Sequence, residues 1–155
     1  MKKILSLILA VAMMLLLVAC GGEVGEEGDV SLVVENRDGS YDVYKVYLED
    51  VTNKEEGVYG VVEFIMQRKE NPITADIVDS SYGAYVNYIG SLTPDASKNE
   101  YVCLYTSLEK DFGTWDGVKS VVYEGVTLKE AGVGLTSMSI EKGTVVLFRI
   151  ETYTI

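Results

Sequence analysis

The chain has 155 residues, with 24 acidic against 13 basic side chains, no histidine and a formal net charge of −11. That charge repels nucleic acid and anionic headgroups alike, so no nucleic-acid partner is expected. The missing imidazole removes Ser-His-Asp and Cys-His catalysis, the usual zinc sites and the commonest general base, so enzyme activity is not expected either.

Lys2 and Lys3 precede an uncharged, largely apolar run from Ile4 to Ala19 that closes on Leu17-Val18-Ala19-Cys20. A basic start, an apolar core and small residues before a cut are the order of an export signal. A membrane-crossing stop would need roughly 20 apolar residues, and here glycines and acids follow. The Leu-Val-Ala-Cys ending resembles the bacterial lipobox. Residues 1–19 therefore read as a lipoprotein signal peptide. Cys20 reads as the lipidated amino terminus of an exported chain, anchored by lipid to the outer face of the bacterial cell membrane. Residues 20–29 complete the anchor: after Cys20, the glycines and acids of Gly21–Asp29 cannot bury enough apolar surface to order themselves and read as a flexible tether.

Residues 30–155 form one domain's worth of chain, large enough for a single core. With Cys20 lipidated, Cys103 has no partner, and its apolar setting in Tyr-Val-Cys-Leu-Tyr predicts a buried, inert thiol. Val30–Glu35 is a β-branched strand ended by Asn36-Arg37-Asp38-Gly39, a hairpin signal. A second strand spans Tyr41–Leu48. Asn36, Asp38 and Gly39 begin like a calcium loop, but the pattern lacks its closing glutamate.

After an acidic loop, Val58, Val61, Val62, Ile65 and Met66 recur at helical spacing, predicting a helix over about 58–69 that Asn71-Pro72 stops. Strands are predicted at 73–78, 83–89, 100–107, 118–123 and 144–152. Between them, 108–117 is a long loop and Thr127–Ala131 a helical turn. The sum is an α+β domain: a mostly antiparallel sheet with one principal helix, β-grasp-like in architecture.

Three pieces of sequence carry a family resemblance. They are Tyr82-Gly83-Ala84-Tyr85-Val86-Asn87-Tyr88-Ile89, the aromatic strand Glu100–Ser107, and Glu141-Lys142-Gly143-Thr144-Val145-Val146-Leu147-Phe148. In this order they resemble the carboxy-terminal β-domain of transcobalamin and intrinsic factor, and the bacterial lipoproteins that carry that domain alone. The chain departs from the family with Val102 and Cys103, where the family usually has a Tyr-Trp pair. The resemblance implies a β-grasp-like fold and contact with one side of a corrinoid, so cobalamin or another corrinoid is a candidate ligand and no cofactor is required. It also implies a missing half, because such a domain normally works beside a helical one.

Tyrosine is the unusual component, and tyrosines on strands usually half-bury for packing. Their functional reading is an aromatic platform with low ordering entropy. The sequence nominates Tyr82 and Tyr85, the strand-end hydroxyls of Tyr105, Thr106 and Ser107, and the loop aromatics Phe112 and Trp115 as ligand-binding residues; loops on a rigid sheet are where such residues collect. The expected role is a surface-tethered module that captures a small molecule and passes it to a membrane transporter. The alternative is a protein-interaction or structural surface lipoprotein with no small ligand.

Overall fold

The computed structural model describes residues 27–81 and 83–153; Cys20, most of the tether and Tyr82 lie outside the described residues. Eight strands and one α-helix follow in order: β1 (Val30–Glu35), β2 (Tyr41–Val46), α1 (Val58–Met66), β3 (Ala75–Val78), β4 (Tyr85–Ile89), β5 (Glu100–Thr106), β6 (Ser120–Tyr123), β7 (Val126–Glu130) and β8 (Val145–Thr152). Six strands make one mixed sheet in the order β2-β1-β8-β5-β7-β6, and β3 and β4 form a separate hairpin. All neighbours in the large sheet run antiparallel except β1 and β8, which pair in parallel through Ser31–Val145 to Val34–Phe148. The α+β expectation holds, with most strand pairs antiparallel.

The β1–β2 turn forms where the Asp-Gly signal stands. Gly39 takes a φ of 84°, and its N–H donates to the Asn36 carbonyl at 2.9 Å. Asp38 Oδ1 accepts from both the N–H and the hydroxyl of Ser40, so the side chain that begins like a calcium ligand instead closes the turn.

Helix α1 ends at Met66, a turn earlier than the periodicity predicts. The N–H of Arg68 donates to the Ile65 carbonyl, the tighter bonding of a terminating turn. The Arg68 guanidinium then reaches the Lys45 carbonyl at 2.7 Å and lies over the Phe64 ring. At the other end no side chain caps the helix. The first free N–H groups, of Val58 and Tyr59, donate to the carbonyls of Met138 and Leu135, so a distant loop supplies the cap. Gly60 stands in the first turn of the helix because a Cβ there would run into the Asn53 carbonyl.

The segment 127–131 is strand β7 and not a helical turn. Glu124 and Gly125 both take positive φ, 47° and 81°, which is the two-residue turn a hairpin needs. It sets Val126 against Tyr123 and Leu128 against Val121. From there Leu128 and Glu130 are buried while Thr127 and Lys129 are exposed, the period of a strand.

Each face of the large sheet has its own core. On one, Leu32, Val34, Val146 and Phe148 meet Val58, Val61, Val62 and Ile65 of α1, with Ala84, Val86 and Ile89 of the β3–β4 hairpin joining them. On the other, alternate residues Val33, Tyr105, Tyr123, Leu128 and Leu147 make a smaller cluster. The Tyr41 ring of edge strand β2 meets the Tyr123 ring of edge strand β6 edge-on at 5.1 Å, so the sheet curls until its two edges touch.

Candidate functional site

The described residues among those nominated by sequence do not share one surface. Tyr85 is exposed on β4, in the hairpin on the helix side of the sheet. Tyr105 is wholly buried in the cluster on the opposite side. Thr106 Oγ1 accepts the Leu108 N–H and Ser107 Oγ accepts the Val145 N–H, so both hydroxyls serve the backbone. Phe112 is half-buried under the Lys129 ammonium at 5.1 Å. Trp115, 48% exposed, folds its ring over Gly113. The loop carrying these aromatics is pinned by buried Asp111, whose Oδ2 accepts the Ser139 N–H at 2.7 Å.

Around Tyr105 the sheet carries a polar network that sequence did not nominate. Glu151 on β8 accepts from the Tyr105 hydroxyl at 2.8 Å and from Lys119 Nζ at 2.6 Å, with Arg149 Nε 3.1 Å away. Burial works against its charge, but Lys119, Tyr105 and Arg149 outweigh that, and its pKa lies below the ordinary carboxylate value. Burial first, then Glu151, pushes the Tyr105 hydroxyl far up, so it stays a neutral donor. Tyr153 donates to Glu130, lies 3.4 Å from Cys103 Sγ and carries Lys119 over its ring. Cys103 is half-buried and not fully buried as its apolar setting predicts, and burial still raises its thiol, in keeping with an inert cysteine. The charges of the network pair with one another, although the buried Arg149 Nε makes no hydrogen bond, and the network joins β5, β7 and β8 to the residue that precedes β6. Its chemistry is that of a structural clamp.

An open receptor of ligand size lies between α1 and β3. It is a groove of about 410 Å³ lined by Tyr59, Glu63 and Met66 from the helix, by Gln67 just after it, and by Ala75, Asp76 and Ile77 from the strand. The helical residues stand at i, i+4, i+7 and i+8, a stripe beside the core-facing one. On a regular strand Asp76 and Ile77 would point to opposite faces. The pairing with β4 is broken by a bulge between these two residues, and both line the groove. Its volume falls within the range of small-molecule sites, about 300–1,000 Å³.

The polar groups of the groove are acidic or neutral. Glu63 Oε2 accepts from Asn53 Nδ2 at 3.0 Å, and Asp76 Oδ2 accepts from Asn87 Nδ2 at 2.9 Å. The Tyr59 hydroxyl is raised above its ordinary pKa by burial, by its hydrogen bond with Glu63, and by the charges of Glu63, Glu56 and Asp79. Sequence periodicity counts Met66 with the apolar stripe and gives Tyr59, Glu63 and Gln67 the look of a solvent face; the bulge that turns Asp76 and Ile77 toward them has no composition signal.

Comparison with protein-family models finds no match, and neither does comparison with curated protein sequences. The fold is similar to a crystal structure, at 1.30 Å resolution, of a "putative metal binding protein" from Ruminococcus gnavus ATCC 29149. The TM-score is 0.54 and the identity 16%, over 83% of this chain and 100% of that one. Among the described residues of this chain, no three His, Cys, Asp or Glu side chains converge to hold a metal ion. No helix among them is long and apolar enough to cross a membrane.

Proposed function

We propose that this protein is a lipid-anchored, non-catalytic binding module on the outer face of a bacterial membrane, which takes a small molecule into the α1–β3 groove for delivery to a membrane transporter. The observation that carries the binding role is the groove itself. It is open and half apolar, and a bulge aims consecutive strand residues into it. Export and anchoring rest on the Lys2-Lys3 start, the apolar run to Ala19 and the lipobox-like Leu17–Cys20. The strand order β2-β1-β8-β5, with a parallel central pair and α1 following β2, supports a β-grasp core extended by β6 and β7.

A corrinoid is one candidate ligand, on the resemblance at 82–89, 100–107 and 141–148. Its peripheral amides would offer N–H donors to Glu63, Asp76 and Gln67. It is larger than the groove, so only an edge would seat and a partner would cover the remainder. The test is titration of the detergent-extracted full-length protein with cobalamin, followed by calorimetry and visible absorption, with native mass measurement for any ligand retained from the host. Saturable heat, or a retained small molecule that is lost when Met66→Arg fills the groove, is the expected result. If neither appears, the small-ligand reading fails.

A protein-interaction role for the same anchored domain draws support from edge strand β6, whose Val122 is 67% exposed, with Val126 also exposed across the hairpin turn. Apart from the Tyr41–Tyr123 contact, the outer edge of β6 has no hydrogen-bonded strand among the described residues, and such an edge with apolar side chains is a template for another chain.

A further inference from the structure

We infer that the α1–β3 groove selects an organic cation with an apolar flank, such as an alkylammonium or an amidinium carried on a hydrocarbon. The inference rests on that groove being the ligand site and adds the class of ligand it takes. Its lining divides chemically. Met66, Ala75 and Ile77 supply the apolar part, with Met66 39% exposed although it belongs to a helix whose other large apolar residues are buried or half-buried. Glu63 and Asp76 supply the charge, one from the helix and one from the strand, so they face a common space from two elements.

The two carboxylates are held in place and are not neutralised. Each accepts from the side-chain amide of an asparagine, Asn53 for Glu63 and Asn87 for Asp76, and those donors carry no charge. No lysine or arginine among the described residues lines the groove. The hydroxyl of Tyr59, on the same helical stripe, is hydrogen-bonded to Glu63 and feels the charges of Glu56 and Asp79, so the negative field extends past the two lining residues. A concave site with low-dielectric walls and one sign of charge focuses that field on an incoming counter-ion, and the Tyr59 ring adds an aromatic face for a cation. An anionic ligand of the same shape meets the opposite field, in a chain that already carries −11.

The experiment uses full-length protein labelled with ¹³C on its methionine methyls. Met66 lines the groove and reports it, while Met138, buried elsewhere in the core, is the internal control. Three probes of one length are titrated: n-hexylammonium, 1-hexanol and hexanoate. The expected result is a saturable shift of the Met66 methyl with hexylammonium and a still Met138. Affinity for hexylammonium should be at least tenfold above that for hexanol, with no response to hexanoate. Glu63→Gln at a half-buried position and Asp76→Asn at an exposed one, both nearly isosteric, should each lower that affinity at least threefold while the melting temperature stays within two degrees. Equal response to hexylammonium and hexanol overturns charge selection and leaves the groove as a binding site. A preference for hexanoate, a hexylammonium response untouched by both variants, or no Met66 response to any probe also overturns the inference. The cobalamin titration and native mass decide the broader reading separately.

Discussion

Removing one oxygen from the middle of the sheet should weaken the fold in a way that tracks the charge on Glu151. Tyr105 has no exposed surface, and Phe fills the same volume, so Tyr105→Phe leaves the packing of Val33, Leu128 and Leu147 unchanged. What is lost is a 2.8 Å donation to Glu151. A hydrogen bond to a charged partner contributes about 1.5–3 kcal/mol, and a neutral one about 0.5–1.5 kcal/mol. Glu151 is ionised and little exposed, so the loss should be about 2 kcal/mol, or roughly 8 °C in melting temperature for a domain of this size. In a Glu151→Gln background the same change should remove only about 1 kcal/mol, which leaves a coupling of about 1 kcal/mol.

Acid should erase this coupling. The folded-state pKa of Glu151 is depressed, so its stabilisation is fully present above the unfolded carboxylate value and is lost as pH falls through the lower, folded one. Urea unfolding of the four proteins of the cycle, at neutral pH and along an acid series, measures both quantities. A Tyr105→Phe loss below about 0.5 kcal/mol, or a coupling that grows as pH falls, would show that the hydroxyl does not support the carboxylate.

Gly60→Ala should destabilise the protein by more than about 2 kcal/mol in urea, although helix propensity alone favours Ala by about 1 kcal/mol, because the new Cβ would occupy the space of the Asn53 carbonyl. A neutral or stabilising result would mean that the 53–57 turn yields. Cys103 should react slowly with a thiol-exchange reagent near pH 8 and quickly after unfolding, since burial raises its pKa and withholds the thiolate; equal rates in the two states would contradict this. Cys20→Ser should release the protein from the membrane fraction of its host into the soluble fraction, and persistent membrane association would overturn lipid anchoring through that residue.

The strands that alternate strongly are legible in the sequence. Val30–Glu35 has its predicted limits, and the last strand begins within a residue of its predicted start. β7 is hidden because Thr-Leu-Lys-Glu-Ala carries good helix formers, and because its turn uses Glu124 at positive φ where Asn or Asp is the usual cue. The nominated site fails to assemble for a topological reason. Tyr105–Ser107 looks like a strand end at an open rim, but β5 pairs with β8 on one side and β7 on the other, so these hydroxyls fall inside the sheet. Which strands become neighbours across long sequence separations is not written in local periodicity. The groove is equally silent, since it needs a helix stripe and a bulged strand to meet.

The parallel pairing of β1 with β8 sets the order of events during biogenesis. These two neighbouring inner strands of the large sheet come from opposite ends of the described chain, so the main core cannot close until β8 has been made. Contacts of such long range also slow folding. Under the export proposed above, this delay is useful: a polypeptide that cannot complete its sheet while its last strand is still being synthesised stays open, and threads a secretion channel before it collapses.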